Sequence, residues 1–127
     1  MGETDTHIVS IVDDDESLRR SLRNLLGSVG FRVETFASAE AFLQSRHRDA
    51  TGCLVVDLQM QGMNGLELLR HLSGGGVPIP TIVLTAHDED ETRQRSLQAG
   101  AVAFIGKPFN GQALLEAVRA ALNQAAA

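Results

Sequence analysis

Two hydrophobic periods alternate along this chain. Ile8–Val12 is a short, nearly continuous apolar run. Leu18, Leu22, Leu25, Leu26 and Val29 follow at the spacing of one helix face, and Gly30 is a natural stop. Phe31, Val33 and Thr35 alternate with Arg32 and Glu34, which predicts a half-exposed strand ending near Phe36. Ser38 can cap a short helix reaching about Arg46. Cys53–Val56 is a continuous apolar strand. Leu66, Leu69 and Leu72 mark a third helix that ends at Gly74-Gly75-Gly76. Ile79–Leu84 reads as a strand entered through Pro78 and Pro80, and residues 89–99 as a helix stopped by Gly100. Val102–Ile105 is a last strand, and Leu114, Leu115, Val118 and Leu122 mark the final helix.

Strands that alternate with helices imply an α/β fold, a parallel sheet with helices on both faces. Strands buried on both faces read as continuous apolar runs, and edge strands alternate. The first, third and fourth strands therefore belong in the centre and the second at an edge. A flavodoxin-like five-stranded sheet of order 2-1-3-4-5 meets these constraints. The glycine triplet follows a helix and precedes a strand, whereas phosphate loops run from strand to helix, so it reads as a turn.

A length of 127 residues argues for one domain spanning 1–127. Cys53 is the one cysteine and lies inside an apolar run, so a buried structural thiol and a reducing compartment are expected. No stretch reaches the ~18 apolar residues of a membrane span. The start, Met1-Gly2-Glu3-Thr4-Asp5, lacks the features of a signal peptide, so cytoplasm is the expected compartment. Eleven Lys and Arg against 16 Asp and Glu give a net charge of −5. An acidic chain with scattered arginines is not expected to bind nucleic acid directly.

In open parallel sheets, sites form outside the carboxyl ends of the strands. The first strand ends in Asp13-Asp14-Asp15-Glu16, the third in Asp57 and the fourth in Thr85, and the fifth runs into Lys107-Pro108. Each has an ordinary reading alone, as a cap, a strand former or a surface charge. Together they place carboxylates, a hydroxyl and an ammonium on one rim. Asp14 and Asp57, on neighbouring strands, would repel unless a cation lay between them. Hard oxygen ligands in a partly open site suit Mg²⁺. A carboxylate can be a nucleophile toward a phosphoryl group. Lys107 can offset charge on that group, and Thr85 can donate to one of its oxygens.

The set Ile11-Val12-Asp13-Asp14-Asp15, Asp57-Leu58-Gln59-Met60 with Gly65, Thr85-Ala86 and Lys107-Pro108-Phe109 resembles the receiver domains of two-component response regulators. The resemblance covers about residues 7–123 and carries the CheY-like form of the fold. Ser38-Ala39-Glu40-Ala41-Phe42-Leu43 and Gly100-Ala101-Val102-Ala103-Phe104-Ile105 point to the FixJ-like group. The resemblance implies a signalling switch rather than an enzyme of metabolism, one that promotes its own phosphorylation and dephosphorylation. Asp57 would be phosphorylated by a sensor histidine kinase. Asp14 and Asp57 would hold Mg²⁺, with the backbone carbonyl of Gln59 as a further ligand and Asp13 assisting through water. Thr85 and Phe104 would be the switch pair, with Phe104 turning inward on phosphorylation. The Lys107–Pro108 bond would be cis. Homodimerisation and a helix-turn-helix output domain outside this chain are the implied consequences.

Two positions depart from the family pattern. Gln61 stands where Pro is usual, which removes a fixed φ from the loop after Asp57. Asp15 stands where many relatives have Glu, and the shorter acid would weaken the outer shell of the metal site. His7, His47, His71 and His87 show no metal-ligand spacing and are expected to be exposed; His87, two after Thr85, could influence loss of phosphate. The run Asp88-Glu89-Asp90-Glu91 complements the start of the fourth helix. That helix has Leu97 as its one large apolar residue, so region 86–106 is expected to be the moving output surface.

Other functions fit less well. A haloacid-dehalogenase-type phosphatase needs a second Asp two residues after the nucleophile, where this chain has Gln59. A flavodoxin-like electron carrier needs a phosphate loop after the first strand, and Asp13–Glu16 would repel a phosphate there. A non-phosphorylated pseudo-receiver acting as an interaction module is the remaining alternative.

Overall fold

The structure, a computed structural model, describes residues 8–75, 79–86 and 89–126. Its elements in chain order are β1 (Ile8–Val12), α1 (Glu16–Ser28), β2 (Arg32–Phe36), α2 (Ala39–Leu43) and β3 (Thr51–Val56), then α3 (Gly65–Gly74), β4 (Thr81–Thr85), α4 (Asp90–Gln98), β5 (Ala103–Gly106) and α5 (Gly111–Ala126). The strands form one parallel sheet in the order β2-β1-β3-β4-β5. The order follows from the burial that the apolar pattern demands: β1, β3 and β4 are buried throughout, whereas β2 is only half-buried.

Side chains of a strand point alternately to its two faces, and the core divides accordingly. Val9, Ile11, Cys53, Val55, Ile82 and Leu84 pack against Leu22 and Leu26 of α1 and Leu114, Leu115 and Val118 of α5. Val12, Leu54, Val56 and Val83 pack against Phe42 of α2 and Leu68, Leu69 and Leu72 of α3. Helix α4 is the exception among the helices. Its buried residue is Ser96, whose hydroxyl donates to the Thr92 carbonyl (2.9 Å), and Leu97 is 46% exposed. It lacks the roughly 1.5–3 kcal/mol that a fully buried leucine contributes.

Some boundaries differ from the sequence reading. Helix α2 ends at Leu43 rather than near Arg46, and Gln44 caps it. The Ser45 hydroxyl then accepts from the His47 N–H (2.9 Å), turning the chain into a 3₁₀ turn at Arg48–Ala50. Strand β3 begins two residues before Cys53. Thr51 is polar, but its hydroxyl is satisfied by Ser10 Oγ (2.7 Å) and the His47 carbonyl (2.9 Å), so it is buried without penalty. Strand β4 starts at Thr81, after Pro80, which has no N–H for the ladder. Strand β5 is shifted one residue later, leaving Val102 42% exposed.

His47 is not fully exposed as expected. Its ring is partly covered and its Nε2 lies 3.9 Å from Glu34 Oε2. His71 is exposed. His7, His87, Gly76, Pro78 and Asp88 lie outside the described residues.

Candidate functional site

Strand register assembles the site. Val12 lies level with Val56, so the residues that follow them, Asp13 and Asp57, leave the sheet side by side. The Asp57 N–H donates to the Val12 carbonyl (3.1 Å), which fixes that juxtaposition. On the other side, Thr85 pairs with Gly106, and the Lys107 N–H donates to the Thr85 carbonyl (2.7 Å). The Lys107–Pro108 bond is cis, as expected.

The ammonium of Lys107 bridges the two carboxylates, lying 3.2 Å from Asp13 Oδ2 and 3.2 Å from Asp57 Oδ2. The remaining oxygens are held by the backbone. Asp13 Oδ1 accepts from the Asp15 N–H (2.8 Å), and Asp57 Oδ1 from the Gln59 N–H (3.0 Å). Asp13 and Asp57 are buried, whereas Asp14 is exposed. Carboxylate oxygens of Asp13, Asp14 and Asp57 all lie within 4.8 Å of one another. Three carboxylates against one ammonium leave excess negative charge, and an all-oxygen donor set of this kind suits a hard divalent cation.

Burial is the largest influence on Asp13 and raises its pKa above 3.8; the charge of Asp57 adds to the rise, while the Asp15 N–H and Lys107 act against it. Burial opposes the charge on Lys107, but attraction to Asp13 and Asp57 outweighs it and lifts the ammonium above 10.5. The ion bridge is therefore charged at neutral pH on the lysine side.

The support around these groups is local. Asp15 caps α1: its carboxylate accepts from the N–H groups of Ser17 (2.9 Å) and Leu18 (3.3 Å). Asp15 thus has a structural role at the start of α1. An acidic residue directly before a helical pattern was the available signal. The Arg19 guanidinium reaches back to the Asp13 carbonyl (2.6 Å), a contact the sequence reading missed. Gly65 lets α3 approach the end of β3 closely, since a Cβ there would lie 2.5 Å from the Asp57 carbonyl oxygen.

The structure brings Asp13, Asp14, Asp57 and Lys107 together, with Thr85 buried at the end of the adjoining strand. Gln59 is exposed, its backbone folded onto Asp57. Phe104 lies in the core layer with Val83 and Leu69. It is already buried, at 8% exposure, and the Arg93 guanidinium lies 4.9 Å from its ring centroid. An inward turn of Phe104 therefore does not start from an exposed ring.

Comparison with known proteins agrees with this geometry. The family profile of the response regulator receiver domain matches residues 9–119. Nodulation protein W of Bradyrhizobium diazoefficiens is 46% identical over 114 residues, which is 90% of this chain and 50% of that protein. The transcriptional regulatory protein FixJ of Rhizobium meliloti is 44% identical over 115 residues, 91% of this chain and 56% of FixJ. The chain thus spans about half the length of the curated relatives it matches. Among solved structures, the response regulator StyR superposes with a TM-score of 0.87 at 46% identity, covering 94% of this chain and 61% of StyR. The crystal structure of FixJ-N superposes with a TM-score of 0.84 at 43% identity, covering 92% and 94% of the two chains. In sheet order, in the acidic cluster closed by one lysine and in sequence, this chain belongs to the response regulator receiver domains of two-component signalling.

Proposed function

We propose that this chain is a phosphoacceptor switch whose Asp57 takes a phosphoryl group from a sensor histidine kinase. The observation that carries the reading is the Lys107 ammonium, shared between Asp57 and Asp13 at 3.2 Å each, beside the exposed carboxylate of Asp14. One oxygen of Asp57 attacks phosphorus, forming an O–P bond as the P–N bond of the donor phosphohistidine breaks, and the histidine nitrogen leaves with the electron pair. Lys107 sits where it can follow the phosphoryl charge. Thr85, at the end of the neighbouring strand, donates its hydroxyl to a phosphoryl oxygen.

The donor set fits Mg²⁺. Asp14 and Asp57, with the backbone carbonyl of Gln59, would hold it. Asp13 would assist through water. When bound, the ion supplies positive charge to the transferring phosphoryl oxygens. The acylphosphate then hydrolyses at the same site, so the domain takes part in both its own phosphorylation and dephosphorylation.

The partners proposed are the kinase and, on phosphorylation, a second copy of the domain or a helix-turn-helix output domain outside these residues, in the cytoplasm. The domain is read as a single receiver unit across 1–127 with its core at about 7–123. No helix among the described residues is long and apolar enough to cross a membrane. Intact-mass analysis after exposure to acetyl phosphate, with and without Mg²⁺, tests the reading. One Mg²⁺-dependent phosphoryl adduct is expected; none would favour a pseudo-receiver that acts by binding alone.

A further inference from the structure

The loop between Asp57 and α3 must hold its shape if its backbone is to serve the cation site; Leu58, Met60 and Met63 anchor it to the core by side-chain packing, but its backbone is less constrained. Residues 58–63 contain no proline, so no φ is fixed covalently. Gly62 lies at φ +76, a conformation that glycine adopts freely but does not enforce. The loop's two ends are secured: the Gln59 N–H donates to Asp57 Oδ1 (3.0 Å), and Asn64 and Glu67 form a reciprocal cap on α3 (2.9 Å each). The stretch Gly62–Met63, just before the Asn64 cap, is also held from outside the loop. Glu40, in the first turn of α2, accepts the Met63 N–H with Oε2 (3.1 Å). A Cβ on Gly62 would lie 3.0 Å from that same oxygen, so the glycine leaves room for the carboxylate to reach Met63.

We propose that Glu40 is a positioning residue for the phosphoacceptor loop: its carboxylate fixes the 58–63 backbone and thereby sets how tightly the site holds a divalent cation. The proposal rests on the reading of Asp14, Asp57 and the Gln59 carbonyl as the cation ligands. A charged acceptor on a backbone N–H is stronger than a neutral one, and its effect is local to the loop. Glu40 touches none of the reacting atoms, so it acts through Met63. Contacts that orient metal ligands commonly change metal affinity tenfold or more.

The test is Mg²⁺ titration of the metal-free chain by amide NMR, comparing wild type, Glu40→Ala and Glu40→Gln, with hydrogen exchange of the Met63 amide measured before Mg²⁺ is added. Glu40 is exposed, so both variants should fold. Glu40→Ala should lose Met63 protection and weaken Mg²⁺ binding roughly tenfold. Glu40→Gln keeps a carbonyl acceptor and should restore most of both. Unchanged affinity in Glu40→Ala overturns the proposal. So does a Glu40→Gln variant as weak as Glu40→Ala, because charge at a distance would then be the cause. A wild-type chain that binds no Mg²⁺ removes the underlying reading of the site and this proposal with it.

Discussion

Lys107 reaches Asp13 across 94 positions of sequence, 3.2 Å from nitrogen to oxygen, and the carboxylate it meets is the buried member of the acidic run rather than Asp14. Removing the ammonium leaves the buried carboxylate of Asp13 held by the Asp15 N–H but without its opposite charge. Lys107→Met should therefore destabilise the metal-free fold at neutral pH by about 1–3 kcal/mol. The loss should shrink as the pH falls, because the Asp13 carboxyl, already raised by burial, then takes up a proton. Mg²⁺ should restore part of the stability. Urea midpoints from pH 4 to 8 read this directly; equal midpoints for variant and wild type at pH 7 would show that the bridge contributes nothing.

Asp57 is the carboxylate that follows the central strand β3 and meets Lys107 at 3.2 Å. Asp57→Asn should fold normally and show no Mg²⁺-dependent phosphoryl adduct by mass. A fully phosphorylated variant would move the assignment elsewhere in the acidic cluster.

Asp14 is exposed, and its carboxylate converges on those of Asp13 and Asp57. Asp14→Ala should weaken Mg²⁺ binding and slow phosphorylation by acetyl phosphate. The chain has no Trp, so calorimetry or NMR must replace tryptophan quenching. Wild-type affinity in the variant would exclude Asp14 as a ligand.

Cys53 should make the fold sensitive to alkali. Burial raises its thiol from 9.0 to about 12. Below pH 9 the thiol is protonated in both states, and its contribution is constant. Between pH 9 and 12 the unfolded chain ionises while the folded chain keeps its proton, so stability falls by up to about 4 kcal/mol. Lys107, also raised, loses its contribution in the same direction above pH 10.5. Cys53→Ala should remove the part of the slope that begins near pH 9, at the cost of a small cavity. Denaturation midpoints between pH 8 and 11 test this; parallel curves for variant and wild type would contradict it.

Arg93 over Phe104 is a contact between the weakly anchored helix α4 and strand β5. Contacts of this type contribute about 0.5–1 kcal/mol at exposed sites. Phosphorylation should change hydrogen exchange in region 86–106 while α1, with Leu22 and Leu26 fully buried, changes little. Arg93→Ala should raise exchange in the same region before phosphorylation. Equal changes in both regions, or none in 86–106, would exclude α4 and β5 as the responding surface.

Much of the architecture was legible because it depends on local periods. Continuous apolar runs at Ile8–Val12 and Cys53–Val56 demand burial on both faces, and the alternation of Val33 and Thr35 with charges demands an edge. From that order and the carboxyl-end rule, Asp13, Asp14, Asp57, Thr85 and Lys107 fall on one rim before any coordinate is known. The tertiary structure decided which acid in the run is buried against Lys107, that Asp15 turns away to cap α1, and that Phe104 is already covered by Arg93. It also decided that Thr51 can enter β3, through hydroxyl partners at Ser10 and His47. Each of these depends on a partner supplied by a distant part of the chain. Periodicity reports which face a residue presents, but burial of a charge or a hydroxyl is set by the group that the folded chain places opposite it.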